Sequence, residues 1–172
     1  MGHFGSYGDD VAQELAPVLI ALLSADEAVR VLLVGRNSGA FADKLLKGRP
    51  ECAGRVHASG VLPQLDVVAA LKACAVLVQP FPDGVTTRRT SVMAGLAAGV
   101  ATVTTSGRLT ERVWRDSDAA VLVPAGSVEA MRDAALGLLQ HPSSRQERAT
   151  AGQRVYGERF AIDRSVDVLT GA

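Results

Sequence analysis

Several things are scarce in this chain. Aromatic residues make up only 4% of it, and lysine occurs only at Lys44, Lys47 and Lys72. The two cysteines, Cys52 and Cys74, form no CxxC pair and have no histidine at a metal-ligand spacing, so neither a zinc site nor a dithiol motif is encoded. Both read as reduced structural thiols. No apolar run reaches the roughly 18 residues of a membrane span. The opening Met1-Gly2-His3-Phe4 lacks the charged and apolar regions of a signal peptide. These absences lead us to expect a cytoplasmic domain with no membrane span. Neither sign of charge prevails: 18 basic and 18 acidic residues cancel, so no nucleic acid or other polyanion is implied as a partner. GxGxxG does not occur, which counts against a nicotinamide dehydrogenase. His3, His57 and His141 are scattered, without the Ser/His/Asp order of a hydrolase, and are expected to be structural or solvated.

What is present is small and apolar. Of 172 residues, 48% are apolar, much of that Ala, Val and Leu, which suits helices packed closely on a buried sheet. The length fits one domain over 1–172. Short apolar runs predict strands at Val29–Gly35, Ala75–Gln79, Ala101–Thr105 and Ala120–Val123, with weaker candidates at Arg55–Ser59 and Gly2–Gly5. Helical spacing lies between them. Asp10 is expected to cap a helix whose one face carries Val11, Leu15, Val18, Leu19, Leu22 and Leu23, and Pro17 to kink or split it. Gln64–Cys74 places Leu65, Val68, Ala69 and Leu71 at helical spacing. Thr90–Ala98 reads as a small-residue helix stopped by Gly99, and Leu109–Arg115 as a short one. Ser127 opens a helix to Gln140, and Pro142 opens the last, which Gly152 and Gly157 weaken. Arg145, Glu147, Arg148 and Arg154 read as an exposed face with i,i+3 pairs, and Trp114 as packing. The alternation implies an α/β, Rossmann-like, doubly wound parallel sheet of about six strands with helices on both faces.

In such folds ligands bind beyond the carboxyl ends of the strands, so the loops there carry the functional reading. Gly5-Ser6-Tyr7-Gly8 lets the backbone approach a ligand, or is a plain turn. Arg36, just after a strand, sits where a phosphate would lie, or is simply solvated. Val61 and Leu62 face a planar base or pack at a helix entry. The most informative segment runs from Gln79 to Ser91. Asp83 and Gly84 lie in its irregular part, and Arg88, Arg89, Thr90 and Ser91 stand at the start of an apolar helix. Free N–H groups and a partial positive charge there, joined by guanidinium forks and hydroxyls, make a diphosphate site. The alternative is a hydroxyl cap beside solvated arginines. Thr104-Thr105-Ser106-Gly107 is polar but unspecific. Glu111 and Arg112 are within reach of a sugar, or form a solvated face.

The stretch LKACAVLVQPFPDGVTTRRTSVMAGLAAGVATVTTSG, Leu71–Gly107, resembles the C-terminal, donor-binding domain of the retaining "group 1" (family 4-like) glycosyltransferases of the GT-B fold, and the likeness extends from Gly2 to about Phe160. The resemblance implies a domain that binds a UDP-sugar or GDP-sugar without metal or cofactor. Gly5, Ser6, Tyr7 and Arg36 would lie near the phosphates, and Val61 and Leu62 near the base. Arg88, Arg89, Thr90 and Ser91 would hold the diphosphate as it leaves. Asp83, with Gly84 beside it, is the nearest match to the first of two glutamates in many members, so Asp83 and Arg88 are the implied catalytic residues. The second glutamate, which holds the ribose, is Ala94 here. The family's N-terminal acceptor domain is missing before the first loop, which leads us to expect a fragment that is inactive alone. A non-catalytic nucleotide-binding or scaffold module is the alternative; a flavodoxin-like signalling domain lacks its acidic cluster.

Overall fold

The structure is a computed structural model, and it describes residues 1–163. Residues 164–172 of the domain expected over 1–172 lie outside the described residues. Six strands, β1 (Gly2–Phe4), β2 (Val31–Val34), β3 (Val56–Gly60), β4 (Val76–Gln79), β5 (Ala101–Ser106) and β6 (Val121–Pro124), form one sheet in the order β3-β2-β1-β4-β5-β6. Every neighbouring pair is parallel. The expected Rossmann-like α/β class is therefore the observed one. The apolar runs became strands because helices cover both faces of the sheet.

The helices are α1 (Asp9–Ala25), α2 (Ser38–Leu46), α3 (Gln64–Lys72), α4 (Thr90–Ala97), α5 (Arg112–Arg115), α6 (Val128–Gln140) and α7 (Pro142–Arg159). One face of the sheet carries Leu33, Val76, Val78 and Val103, and α1, α2 and α6 bury Leu15, Leu19, Leu22, Phe41 and Met131 against it. On the other face Leu77 packs with Leu71 and Val100. Leu96 of α4, Val155 of α7 and Trp114 form a second cluster there. Helix α4 owes its small residues to this packing. A Cβ on Gly95 would stand 2.7 Å from Leu77 Cδ1 and 3.0 Å from Thr102 Oγ1. The glycine at 152, expected to weaken α7, instead lets that helix rest 2.7 Å (Cβ position to oxygen) from the Ala119 carbonyl.

The structure departs from the expectations at several local points. Helix α1 runs unbroken through Pro17, which sits exposed. Gly8, not Asp10, is its N-cap; Asp9 and Asp10 lie in its first turn, where negative charge complements the dipole. In α3 only Leu71 of the expected stripe is buried; it packs with the half-buried Val67 and with Cys74 just past the helix end, while Leu65 and Val68 face solvent. Helix α2, with Phe41, Ala42 and Leu45 buried, was not anticipated. Arg145 donates to the Leu138 and Leu139 carbonyls at the end of α6, and Arg148 pairs with Asp118, so the expected i,i+3 pairs do not form. Ser127 does cap α6, accepting from the Ala130 N–H at 3.3 Å, and Pro142 does open α7.

Candidate functional site

The chain winds to one side from β1 through β2 and β3, and to the other from β4 through β5 and β6. The strand order thus reverses between β1 and β4, and the crevice beyond their carboxyl ends is where such sheets take ligands. A cleft of about 530 Å³ lies there, within the range of small-molecule sites.

Its first wall is made of the turns after β1, β2 and β3, knitted by their own polar groups. The Gly5 N–H donates to Val34 O and the Gly35 N–H to Gly60 O, each at 3.0 Å. Ser38 Oγ accepts from the Gly60 N–H at 2.9 Å, and Asn37 Nδ2 donates to Ser6 O at 3.3 Å. Gly35 has φ +121, and a Cβ there would collide with the Gly5 carbonyl oxygen. Only bare backbone lets these turns pack so closely. Gly5, Ser6, Arg36, Val61 and Leu62 all line the cleft from this side.

The second wall is the loop from Gln79 into α4. Thr105 Oγ1 accepts from the Phe81 N–H at 2.8 Å and donates to Phe81 O at 2.7 Å. Glu111 accepts from both Thr87 N–H and Thr87 Oγ1, so it braces this loop instead of reaching into the cleft. Arg88, Arg89, Thr90 and Ser91 line the cleft. Arg89 occupies the N-cap position, and no side chain caps the helix. The Ser91 hydroxyl donates to Gln79 Oε1 instead, at 3.3 Å, and the Ser91 N–H meets no acceptor among the described residues. A hydroxyl cap, the alternative explanation of this sequence, is therefore not what forms.

The electrostatics are one-sided. Arg36, Arg88 and Arg89 line the cleft, no Asp or Glu does, and none of the three is ion-paired among the described residues. Arg89 lies 4.4 Å above the Phe81 ring centroid, a cation–π contact that fixes its fork and leaves its charge unneutralised. On the floor His3 is 1% exposed, and burial pushes its pKa down to about 3. The imidazole is thus neutral, and its Nδ1 has no hydrogen-bond partner among the described residues. Among the described residues no His/Cys/Asp/Glu group of metal-binding size occurs.

Three expected site residues are not in the cleft. Tyr7, at φ 55, turns its ring inward against Phe41 and His3 and donates its hydroxyl to His3 O at 3.0 Å. Asp83 pairs with Arg108 at 2.9 Å. Gly84, at φ +87, is a close-approach residue against Gly107 and Thr110. Ala94, at the position of the expected ribose-holding glutamate, packs against the Leu71–Leu77 cluster. Conversely, His3, Gln79 and Phe81 line the cleft without having been singled out. Gln79 did carry a signal, as the one polar residue closing the run VLVQ.

The model of the family described as "Glycosyl transferases group 1" matches residues 2–141. No curated protein matches the chain. Among solved structures, HepE of Anabaena in complex with UDP-glucose is similar, at TM-score 0.73 and 18% identity over 99% of this chain and 48% of that one. A mutant of S. aureus TarM in complex with fondaparinux, α-GlcNAc-glycerol and UDP gives TM-score 0.78 at 14% identity, over 99% of this chain and 34% of that one. The sucrose-phosphate synthase of Thermosynechococcus elongatus gives 0.76 at 16%, over 99% and 43%. The chain thus spans less than half the length of each of these proteins.

Proposed function

The chain belongs to the group 1 glycosyl transferases, and on that premise we propose that its cleft holds the nucleoside-diphosphate part of a sugar donor, with UDP the first candidate. The observation that carries this reading is the pair of arginines at the start of α4 that have no carboxylate partner among the described residues. A departing diphosphate gathers negative charge. Arg89, held over Phe81, and the free Ser91 N–H are placed donors that stabilise that charge with little reorganisation, and the exposed Arg88 adds a further positive charge beside them. Arg36 supports the phosphates from the facing wall, and Val61 and Leu62 offer an apolar surface to the base. HepE, solved with UDP-glucose, and TarM, solved with UDP, support UDP over GDP as the ligand to try first.

The cleft supplies no base for the acceptor among the described residues, since no carboxylate lines it and His3 is buried and neutral. The assigned role is therefore donor binding and leaving-group stabilisation. A second domain, as the greater length of the similar structures suggests, would bring the acceptor. UDP at about a hundred times its Kd adds roughly 2.7 kcal/mol of stability, worth roughly 5–10 °C in Tm for a chain this size. A thermal melt with UDP and GDP reads this directly, and no shift with either at millimolar ligand contradicts the reading.

A further inference from the structure

We infer that Gln79 is a positioning residue: its buried amide is a strut that sets the spacing between the two walls of the cleft. This rests on the nucleotide-diphosphate reading for its consequence, though not for its geometry. Backbone pairing between β1 and β4 is confined to the register Gly2–Leu77. Toward the cleft the Gln79 side chain takes over, donating from Nε2 to Phe4 O at 3.1 Å, the last carbonyl before Gly5. Its Oε1 accepts from Ser91 Oγ at 3.3 Å, in the first turn of α4. Its own carbonyl accepts from Thr104 Oγ1 at 2.6 Å, which ties the strut to β5.

One side chain, at a residue with 0% exposure, therefore joins the end of β1 to the start of α4, and the same residue's backbone carbonyl holds the neighbouring strand. An amide buried this deeply costs stability unless it is bonded at both ends. An apolar side chain would fill the same space but could not link the walls. The Ser91 hydroxyl has a single proton, and Gln79 takes it. In this arrangement Ser91 offers a phosphate its backbone N–H, and that N–H is placed by the strut. Misplacing donors by about 1 Å can cost on the order of a hundredfold, so the strut's loss should appear in affinity and not only in stability.

The test uses Gln79→Met, unbranched and without hydrogen-bonding groups, with Ser91→Ala and the double variant. UDP affinity is measured calorimetrically well below Tm, and amide hydrogen exchange is followed at Gly5 and Val92. The strut predicts at least a tenfold weaker UDP affinity in Gln79→Met and faster exchange at both amides. It also predicts a double variant no weaker than Gln79→Met, because both changes break one linkage. Affinity within twofold of the original chain together with unchanged exchange overturns it, as do losses that multiply in the double variant. Should Gln79→Met fail to fold, Ser91→Ala decides alone. Exchange at Gly5, on the opposite wall, rises if the strut transmits the change and stays constant if it does not. If the unaltered chain fails to bind UDP, the nucleotide reading falls, and exchange at Gly5 and Val92 still decides the strut.

Discussion

Arginines that line the cleft and arginines elsewhere in this molecule are treated differently. Elsewhere, Arg108, Arg132, Arg148 and Arg154 pair with Asp83, Asp133, Asp118 and Glu158, the first pair in the loops after β5 and β4 but outside the cleft lining. Arg55 and Arg145 end on backbone carbonyls. At the cleft, Arg36, Arg88 and Arg89 converge from two walls and meet no carboxylate among the described residues. In a chain whose charges balance overall, this separation is local. On the proposed reading the cleft is where an anion completes the charge, while the pairs elsewhere serve as ordinary surface chemistry.

The largest expected effect sharpens the contrast between rim and floor, because positive charge is tolerated at the rim and costly one layer below. His3 has a folded pKa of about 3 against an ordinary 6.5. Its neutral form is favoured by folding, so stability is full above pH 6.5 and is lost as pH falls from there toward 3. The slope is about 1.36 kcal/mol per pH unit, or roughly 5 kcal/mol at most. His3→Leu should remove this acid sensitivity, as read by urea unfolding at pH 7 and pH 4. Next, replacing both Arg88 and Arg89 by alanine should weaken UDP binding by about 2–4 kcal/mol, roughly 30- to 1000-fold in Kd, with little change in Tm. On the flank the effects reverse. Gly152→Val forces a side chain toward the Ala119 carbonyl and should cost about 1–3 kcal/mol of stability while leaving UDP affinity unchanged. Smallest is Arg148→Ala, which breaks an exposed pair with Asp118. A loss below about 1 kcal/mol, and none in UDP affinity, is expected.

Much of the fold was legible in the sequence because buried parallel strands are written as apolar runs: the four apolar runs became strands, and so did the two weaker candidates at Arg55–Ser59 and Gly2–Gly5. Helix faces were less legible. In α3 the spacing of Leu65, Val68 and Leu71 was as helical as that of Val67 and Leu71, and only the packed sheet decides between them. Pro17 left α1 whole because it sits on the exposed side.

The site was partly legible for a similar reason. Arg88 to Ser91 follow a central strand and enter a small-residue helix, so their place at the cleft follows from order along the chain. Tyr7 and Asp83 stand in equally suggestive loops, but tertiary partners, Phe41 and Arg108, take them elsewhere. The Gln79 bridge joins residues 75 and 12 positions apart, a relation that no local pattern encodes.

The central claim is that guanidinium groups with no carboxylate partner among the described residues, together with the Ser91 N–H at the start of α4, grip a diphosphate. Its most direct test is a calorimetric titration of the same protein with UDP and with uridine. The account predicts that UDP binds at least a hundredfold more tightly and that the advantage shrinks as salt is raised. Equal affinity for the two, or a UDP advantage indifferent to salt, would contradict it.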